Sequence, residues 1–283
     1  MKVSIIILNY NTFTLTSQCI QSIYQHTKNV DFEIILVDNA STECPPEKFL
    51  NLFPKIKLVK NNENRGFAKG CNDGIKQAKG DYILLLNSDT VLLNDAISIT
   101  FDFLKQHNNI GAATCRLENA DTSPQNNCQP FFTLSKIIGE QLRIHKLFPK
   151  NKRGKIWWGP YFNYNQIAYP DWVWGTFFMF PRKILNIFPE QKLPETFWMY
   201  VEDMEWCWLI RKAGYKIAFV PEGRILHYGG GNAHIDETKK MMDENFRKFY
   251  ELYYGKTYAT ILLFLMKVLN WSQWRKWSLF RRK

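Results

Sequence analysis

Along the first 116 positions, nearly continuous apolar runs alternate with runs spaced like a helix face. Val3-Ser4-Ile5-Ile6-Ile7-Leu8 and Tyr82-Ile83-Leu84-Leu85-Leu86 are of the first kind, the mark of strands buried on both faces. Leu15, Cys19, Ile20, Ile23 and Tyr24 are of the second. The patterns predict strands over residues 3–9, 32–38, 56–60, 81–86 and 110–115, with helices over 14–26, 46–53, 66–78 and 94–107 between them. Such alternation implies an α/β fold, a mostly parallel sheet with helices on both faces. No G-x-G-x-x-G follows the first strand, which disfavours a standard NAD-binding domain.

From residue 117 to 170 the rhythm is lost. This stretch is rich in Asn, Pro and aromatics and carries Lys150, Lys152, Arg153 and Lys155; long irregular segments of this kind serve as lids or binding loops. Order returns with a strand over 172–180 and a helix over 200–213 ended by Gly214. Strands over 216–220 and 224–228 and a helix over 237–254 complete the body. The chain therefore reads as two halves of one domain, 1–116 and 117–255, followed by a tail over 256–283.

Charge changes the picture of that tail. The net charge is +11, and seven basic residues follow Glu251 with no acid among them. The tail is also apolar, with Ile261-Leu262-Leu263-Phe264-Leu265-Met266 and then Trp271, Trp274 and Trp277. The apolar run is too short to span a bilayer, which takes about 20 residues. A basic, tryptophan-rich helix lies in the membrane interface; the alternative is a last helix packed on the body. Basic charge confined to an apolar tail argues against nucleic acid as a partner. The six cysteines show no C-x-x-C spacing, and Met1-Lys2 runs straight into a strand. Both favour reduced thiols in a cytoplasm, without a signal peptide.

Candidate chemistry gathers at the ends of the apolar runs. Asn87-Ser88-Asp89 follows a buried strand, where open α/β sheets bind ligands. A carboxylate there holds a divalent cation that holds a diphosphate, or else Ser88, Asp89 and Thr90 cap the next helix. Asp38 ends the second strand and faces a base or ribose, or closes an Asx-turn. Asn64-Arg65-Gly66-Phe67 opens a helix whose N-terminus favours phosphate, or is a plain junction. Glu202 and Asp203, flanked by Trp198, Tyr200 and Trp206, suit a proton acceptor beside a sugar, or stabilise a helix start. His227, before a glycine run, is a metal ligand or a structural histidine.

In this order the stretches resemble glycosyltransferase family 2, with the GT-A fold, over roughly residues 3–255. The motifs are Val3–Asn11, Val37-Asp38-Asn39-Ala40-Ser41, Asn64-Arg65-Gly66-Phe67, Leu86-Asn87-Ser88-Asp89 and Glu202-Asp203-Met204-Glu205 with Arg211 and Ala213-Gly214-Tyr215. The resemblance implies a Rossmann-like nucleotide-binding sheet. It implies donor contacts from Asn9, Asn11, Asp38, Asn64, Arg65, Gly66, Asn87 and Asp89, with Asp38 on the base. Asp89 and His227 would hold Mg²⁺ or Mn²⁺, and Asp203 would be the catalytic base, with Glu202 the next candidate. On the residues' own chemistry, Trp172, Trp174, Gly175, Trp198 and Tyr200 form an acceptor wall, with aromatic core packing the alternative for some of them. Asn-Ser-Asp in place of Asp-x-Asp, with His227, is similar to rhamnosyltransferase-like members. Asn87 leaves the site one negative charge short of that motif.

These readings imply an inverting, metal-dependent transfer from a nucleotide-diphosphate sugar, with a lean toward dTDP-rhamnose. The acceptor would be a glycan or lipid-linked hydroxyl, and the tail would hold the enzyme at the inner face of the cell membrane. The competing class is an inert nucleotide-sugar-binding scaffold at that membrane.

Overall fold

The computed structural model describes residues 2–149, 152–153, 158–229 and 235–268. The predicted alternation is present: β1 (Lys2–Asn9), α1 (Phe13–His26), β2 (Asp31–Asp38), α2 (Lys48–Leu52), β3 (Lys57–Lys60), α3 (Gly66–Gln77) and β4 (Tyr82–Asn87). Next come β5 (Thr90–Leu92), α4 (Ala96–Gln106), β6 (Ile110–Glu118), β7 (Cys128–Gln129), α5 (Leu134–Gln141), β8 (Trp172–Val173) and β9 (Phe177–Pro181). The last are α6 (Glu202–Lys212), β10 (Lys216–His227), α7 (Ile235–Tyr254) and α8 (Lys256–Val268).

Eight strands make one sheet in the order β3-β2-β1-β4-β9-β6-β10-β5. β3, β2, β1 and β4 run parallel, as do β6 and β10. β9 lies antiparallel between β4 and β6, and β5 antiparallel on the outer edge. Strand alternation splits the core into two layers. Ile5, Ile7, Leu84 and Leu86 face Ile20 of α1 and Phe101 of α4. Ile6, Ile83 and Leu85 face Ile75 of α3, Trp206 of α6 and Phe249 of α7. Period-two side chains buried on both sides are why these strands read as continuous apolar runs.

Five expectations change. The cap of α4 is Asp95, whose Oδ1 accepts from Ser98 N at 3.2 Å, so Ser88-Asp89-Thr90 leads into a strand and caps nothing there. The run 172–180 is broken: β8 pairs with β7, and β9 alone joins the main sheet. The two strands foreseen over 216–228 are one strand, β10, whose register shifts between Val220 and Arg224. Pro221 sits at that shift, where a residue without an N–H is tolerated. The supposed irregular segment contains α5.

The fifth change concerns the tail. α8 buries Ala259, Leu262 and Met266 in the core, and Tyr258 Oη accepts from Leu134 N of α5 at 3.3 Å. Residues 256–268 thus follow the packed-helix alternative on one side. On the other side Ile261, Phe264 and Val268 are exposed. Trp271, Trp274 and Trp277 lie outside the described residues. Among those described, no helix is long and apolar enough to cross a membrane. All six cysteines are free, and five are buried.

Candidate active site

The parallel register of β1 and β2 sets Asn9 opposite Asp38. Asn9 Nδ2 donates to Asp38 Oδ1 at 2.7 Å and to Ser41 Oγ at 2.9 Å. Ser41 N donates to Asp38 Oδ2 at 3.1 Å, so the Asx-turn is real and the carboxylate is held rigid at the strand's end. Asn11, in the left-handed region at φ 52°, accepts on Oδ1 from Thr42 N at 2.7 Å and Glu43 N at 3.2 Å. Asn39 links this turn to the next: its Nδ2 donates to Asn64 Oδ1 at 2.8 Å, and its Oδ1 accepts from Arg65 N at 3.2 Å.

At the start of α3 the first two amides are taken by protein groups. Gly66 N donates to Asn64 Oδ1 at 3.0 Å, and Phe67 N to Trp198 O at 2.8 Å. Arg65 turns its guanidinium to Asp73 of α3 at 2.5 Å. This junction therefore joins the two halves of the domain. At Gly66, with φ +77°, an added Cβ would lie 2.3 Å from the Trp198 carbonyl oxygen.

A second pair of polar groups comes from the sheet edge. Antiparallel pairing of β5 with β10 sets His227 opposite Thr90, and Tyr228 N donates to Asp89 O at 3.0 Å. This brings His227 Nε2 to 3.5 Å from Asp89 Oδ2, although 138 positions separate them in sequence (227 − 89). Burial is the largest influence on the Asp89 carboxyl and raises its pKa; His227 and the backbone amides of Asp89 and Gly229 outweigh it, and the net shift is downward. Among the described residues no group of three or more His, Cys, Asp or Glu is placed to hold a metal. An oxygen and a nitrogen ligand still fit Mg²⁺ or Mn²⁺, ions that keep waters and take further oxygens from substrate phosphates.

The acidic pair is set by a strained turn. Tyr200 and Val201 have φ 65° and 75°, rare for any side chain and more so for a β-branched one. Such residues cost about 1–3 kcal/mol each. Asn245 of α7 holds the turn, donating to Met199 O at 2.8 Å and Tyr200 O at 3.3 Å. α6 then begins with its two acids pointing apart. Glu202 is 6% exposed and lies near Cys71, whose thiol pKa is raised by burial and then by this carboxylate. Asp203 stays partly open, with Oδ2 accepting from Gly175 N at 2.9 Å. The neighbouring Thr176 O accepts from Asn87 N at 3.0 Å. Asp203 and Asn87-Ser88-Asp89 thus share one rim. Glu205 faces inward and accepts from Tyr253 Oη of α7 at 2.7 Å.

Among the foreseen acceptor residues, Trp198 is 45% exposed, while Trp174 and Tyr200 are partly buried. Trp172 is 2% exposed, with Nε1 donating to Pro130 O at 2.9 Å. It is a core residue and leaves the acceptor wall. Arg211 pairs with Asp171 at 3.1 Å, an acid remote in sequence from Asp203. Gln125, Asn39 and Asn245 hold site residues in place, yet no spacing marks them. They act through contacts between segments far apart in the chain.

A mostly parallel sheet, with polar pairs at the ends of β1 and β2 and where β5 meets β10, defines the class: this is the GT-A glycosyltransferase fold. Three solved structures share it. They are Pyrobaculum calidifontis mannosyltransferase PcManGT with GDP-Man and Mn²⁺ (TM-score 0.58, 14% identity, 99% of this chain and 83% of that one), S. aureus TarS 1–349 (0.55, 16%, 89% and 73%), and GalNAc-T7 with UDP, GalNAc and Mn²⁺ (0.60, 14%, 98% and 56%). At these identities the likeness is one of fold. The chain belongs to glycosyl transferase family 2, which it matches over residues 4–186.

Two relatives illustrate the range. The poly(ribitol-phosphate) beta-glucosyltransferase of Bacillus spizizenii is 36% identical over 114 residues, 38% of this chain and 18% of that protein. A glycosyltransferase of Haemophilus influenzae, uncharacterized, is 28% identical over 165 residues, 54% of this chain and 64% of its own length. The matches thus span less than two thirds of these relatives.

Proposed function

We propose that this chain is an inverting glycosyltransferase that moves a sugar from a nucleoside diphosphate to a hydroxyl of a glycan or lipid-linked acceptor. The observation that carries the reading is the shared rim: Asp203 on Gly175 N, and Thr176 on Asn87 N. It supports a partly open carboxylate on the same rim as the segment that carries Asp89. Asp203 takes the proton of the attacking hydroxyl, a contribution of about 10²–10⁴ in rate. Trp198 offers a ring face to the acceptor sugar. Asn9 and Ser41 hold the Asp38 carboxylate for the nucleoside, and a buried Glu202 leaves Asp203 as the base. A divalent cation on Asp89 and His227 would neutralise the departing diphosphate.

Metal use is supported by the Mn²⁺ bound in two fold neighbours, and a polymeric acceptor by the poly(ribitol-phosphate) relative. The donor we favour is dTDP-rhamnose, on the Asn87-Ser88-Asp89 and His227 pattern. We place the reaction at the inner face of the cell membrane. Exposed Ile261, Phe264 and Val268 on α8 and exposed Leu142 and Leu147 after α5 support contact with lipid, helped by the basic residues of the tail.

A panel of nucleotide sugars tested by thermal shift with and without Mn²⁺ examines the reading. One donor should raise the melting temperature only with metal; ligand at 100 times its Kd stabilises by about 2.7 kcal/mol. Slow hydrolysis of that donor separates an enzyme from an inert binding module. No shift with any nucleotide sugar would refute the proposal.

A further inference from the structure

We propose that Gln125 is a positioning residue: it fixes the His227 ring with Nε2 turned to the Asp89 carboxylate, in readiness for a divalent cation between them. The inference rests on the metal reading above. Gln125 follows β6, and its backbone N donates to Leu117 O at 2.8 Å. Its side-chain Nε2 donates to the backbone carbonyl of His227 at 2.8 Å and to Asn119 Oδ1 at 2.9 Å. A backbone carbonyl only accepts, so that end of the amide must be the NH₂ group. The amide orientation is thereby fixed by a partner that cannot exchange roles.

The other end follows. Gln125 Oε1 lies 2.7 Å from His227 Nδ1 and can only accept, so Nδ1 carries the proton. That leaves Nε2 facing Asp89 Oδ2 at 3.5 Å, where a proton or a divalent cation between the two holds them together. Neighbouring ligands of an octahedral ion with bonds of about 2.1 Å sit about 3.0 Å apart, so closing onto a cation takes about half an ångström. Outer partners of this kind are worth about 10–100-fold in metal affinity. The one amide grips both the ring and the carbonyl of His227, and Asn119 in turn steadies the amide.

The test uses the full chain with ¹⁵N-labelled histidine, metal-free at pH 8. Two-bond ¹H–¹⁵N spectra report which nitrogen of each of the five histidines is protonated, and His227→Ala assigns the signal. Wild type should show His227 with its proton on Nδ1. Gln125→Leu should shift it toward Nε2 and weaken Mn²⁺ binding in the presence of UDP by about 10–100-fold. Gln125→Glu, which still accepts from Nδ1 but no longer donates to the His227 carbonyl or to Asn119, should keep the Nδ1 proton and retain more affinity than Gln125→Leu. An unprotonated Nδ1 in the wild type, or unchanged Mn²⁺ affinity in Gln125→Leu, overturns the assignment. Wild type with the Nδ1 proton but no Mn²⁺ binding overturns the metal reading and the positioning role with it, while leaving the hydrogen-bond assignment measured. The spectra and the titration therefore fail separately.

Discussion

Gly66→Ala should destabilise the protein well beyond a glycine replacement chosen to match its backbone strain. Two effects add at this position. The backbone is left-handed, at φ +77°, and a side chain there costs about 1–2 kcal/mol. The new Cβ would also lie 2.3 Å from the Trp198 carbonyl oxygen, and backbone cannot swing aside like a flexible side chain. Relieving the overlap moves Trp198 and breaks the bond from Phe67 N at 2.8 Å, worth about 0.5–1.5 kcal/mol. The sum is about 1.5–3.5 kcal/mol. Gly214→Ala is the control: its φ is +89°, and nothing lies within 4 Å of the added Cβ. It should cost the strain alone, about 1–2 kcal/mol. The loss of chain entropy in the unfolded state is common to both and cancels. Urea denaturation of the two variants gives the difference. In melting temperature it amounts to about 2–4 °C per kcal/mol for a chain near this size. Equal losses would refute the claim that Gly66 is required by the approach of Trp198.

Asp203→Asn should lower turnover by about 10²–10⁴ while leaving donor affinity nearly unchanged, and near-normal turnover would remove it as the base. Asp89→Ala should abolish metal-dependent donor binding, and His227→Ala should weaken it less, because only the aspartate brings charge; isothermal titration with and without Mn²⁺ decides. Glu205 has its pKa raised chiefly by burial, so between its unfolded and folded pKa values the native state binds the extra proton. Stability then falls as pH rises through that window, and Glu205→Gln should gain on wild type as pH rises above the ordinary glutamate range in parallel denaturant series. Phe264→Glu, on the exposed side of α8, should leave the fold intact and reduce sedimentation with anionic vesicles. Unchanged sedimentation would move the membrane contact elsewhere.

Much of the frame was legible in the sequence, because strands buried on both faces must be apolar throughout and helices between them must repeat at 3.6. What stayed hidden involved segments whose local pattern fits two structures. Trp172 to Phe180 reads as one strand, yet it breaks around Gly175, whose amide is taken by Asp203. Ser88-Asp89-Thr90 has capping chemistry, but Asp95 sits one residue before α4 and caps it. α8 is apolar on both sides, and periodicity does not say which side meets protein. The Asp89–His227 pair was foreseen from motif resemblance. Gln125 was invisible because its importance depends on the pairing of β5 with β10.

The place of β9 has a consequence for how the chain is made. Antiparallel between β4 and β6, it fills the middle of the sheet from a point 90 residues downstream of Asn87 (177 − 87). During synthesis at about 5–20 residues per second, the inner edge of β4 would stay unpaired for about 5–20 s, and that of β6, 59 residues upstream (177 − 118), for about 3–12 s. Open apolar edges are templates for pairing with other chains. The vulnerable species in a cell is therefore a nascent chain that ends before Phe177, and a chaperone that shields the flank of β4 would act in that interval.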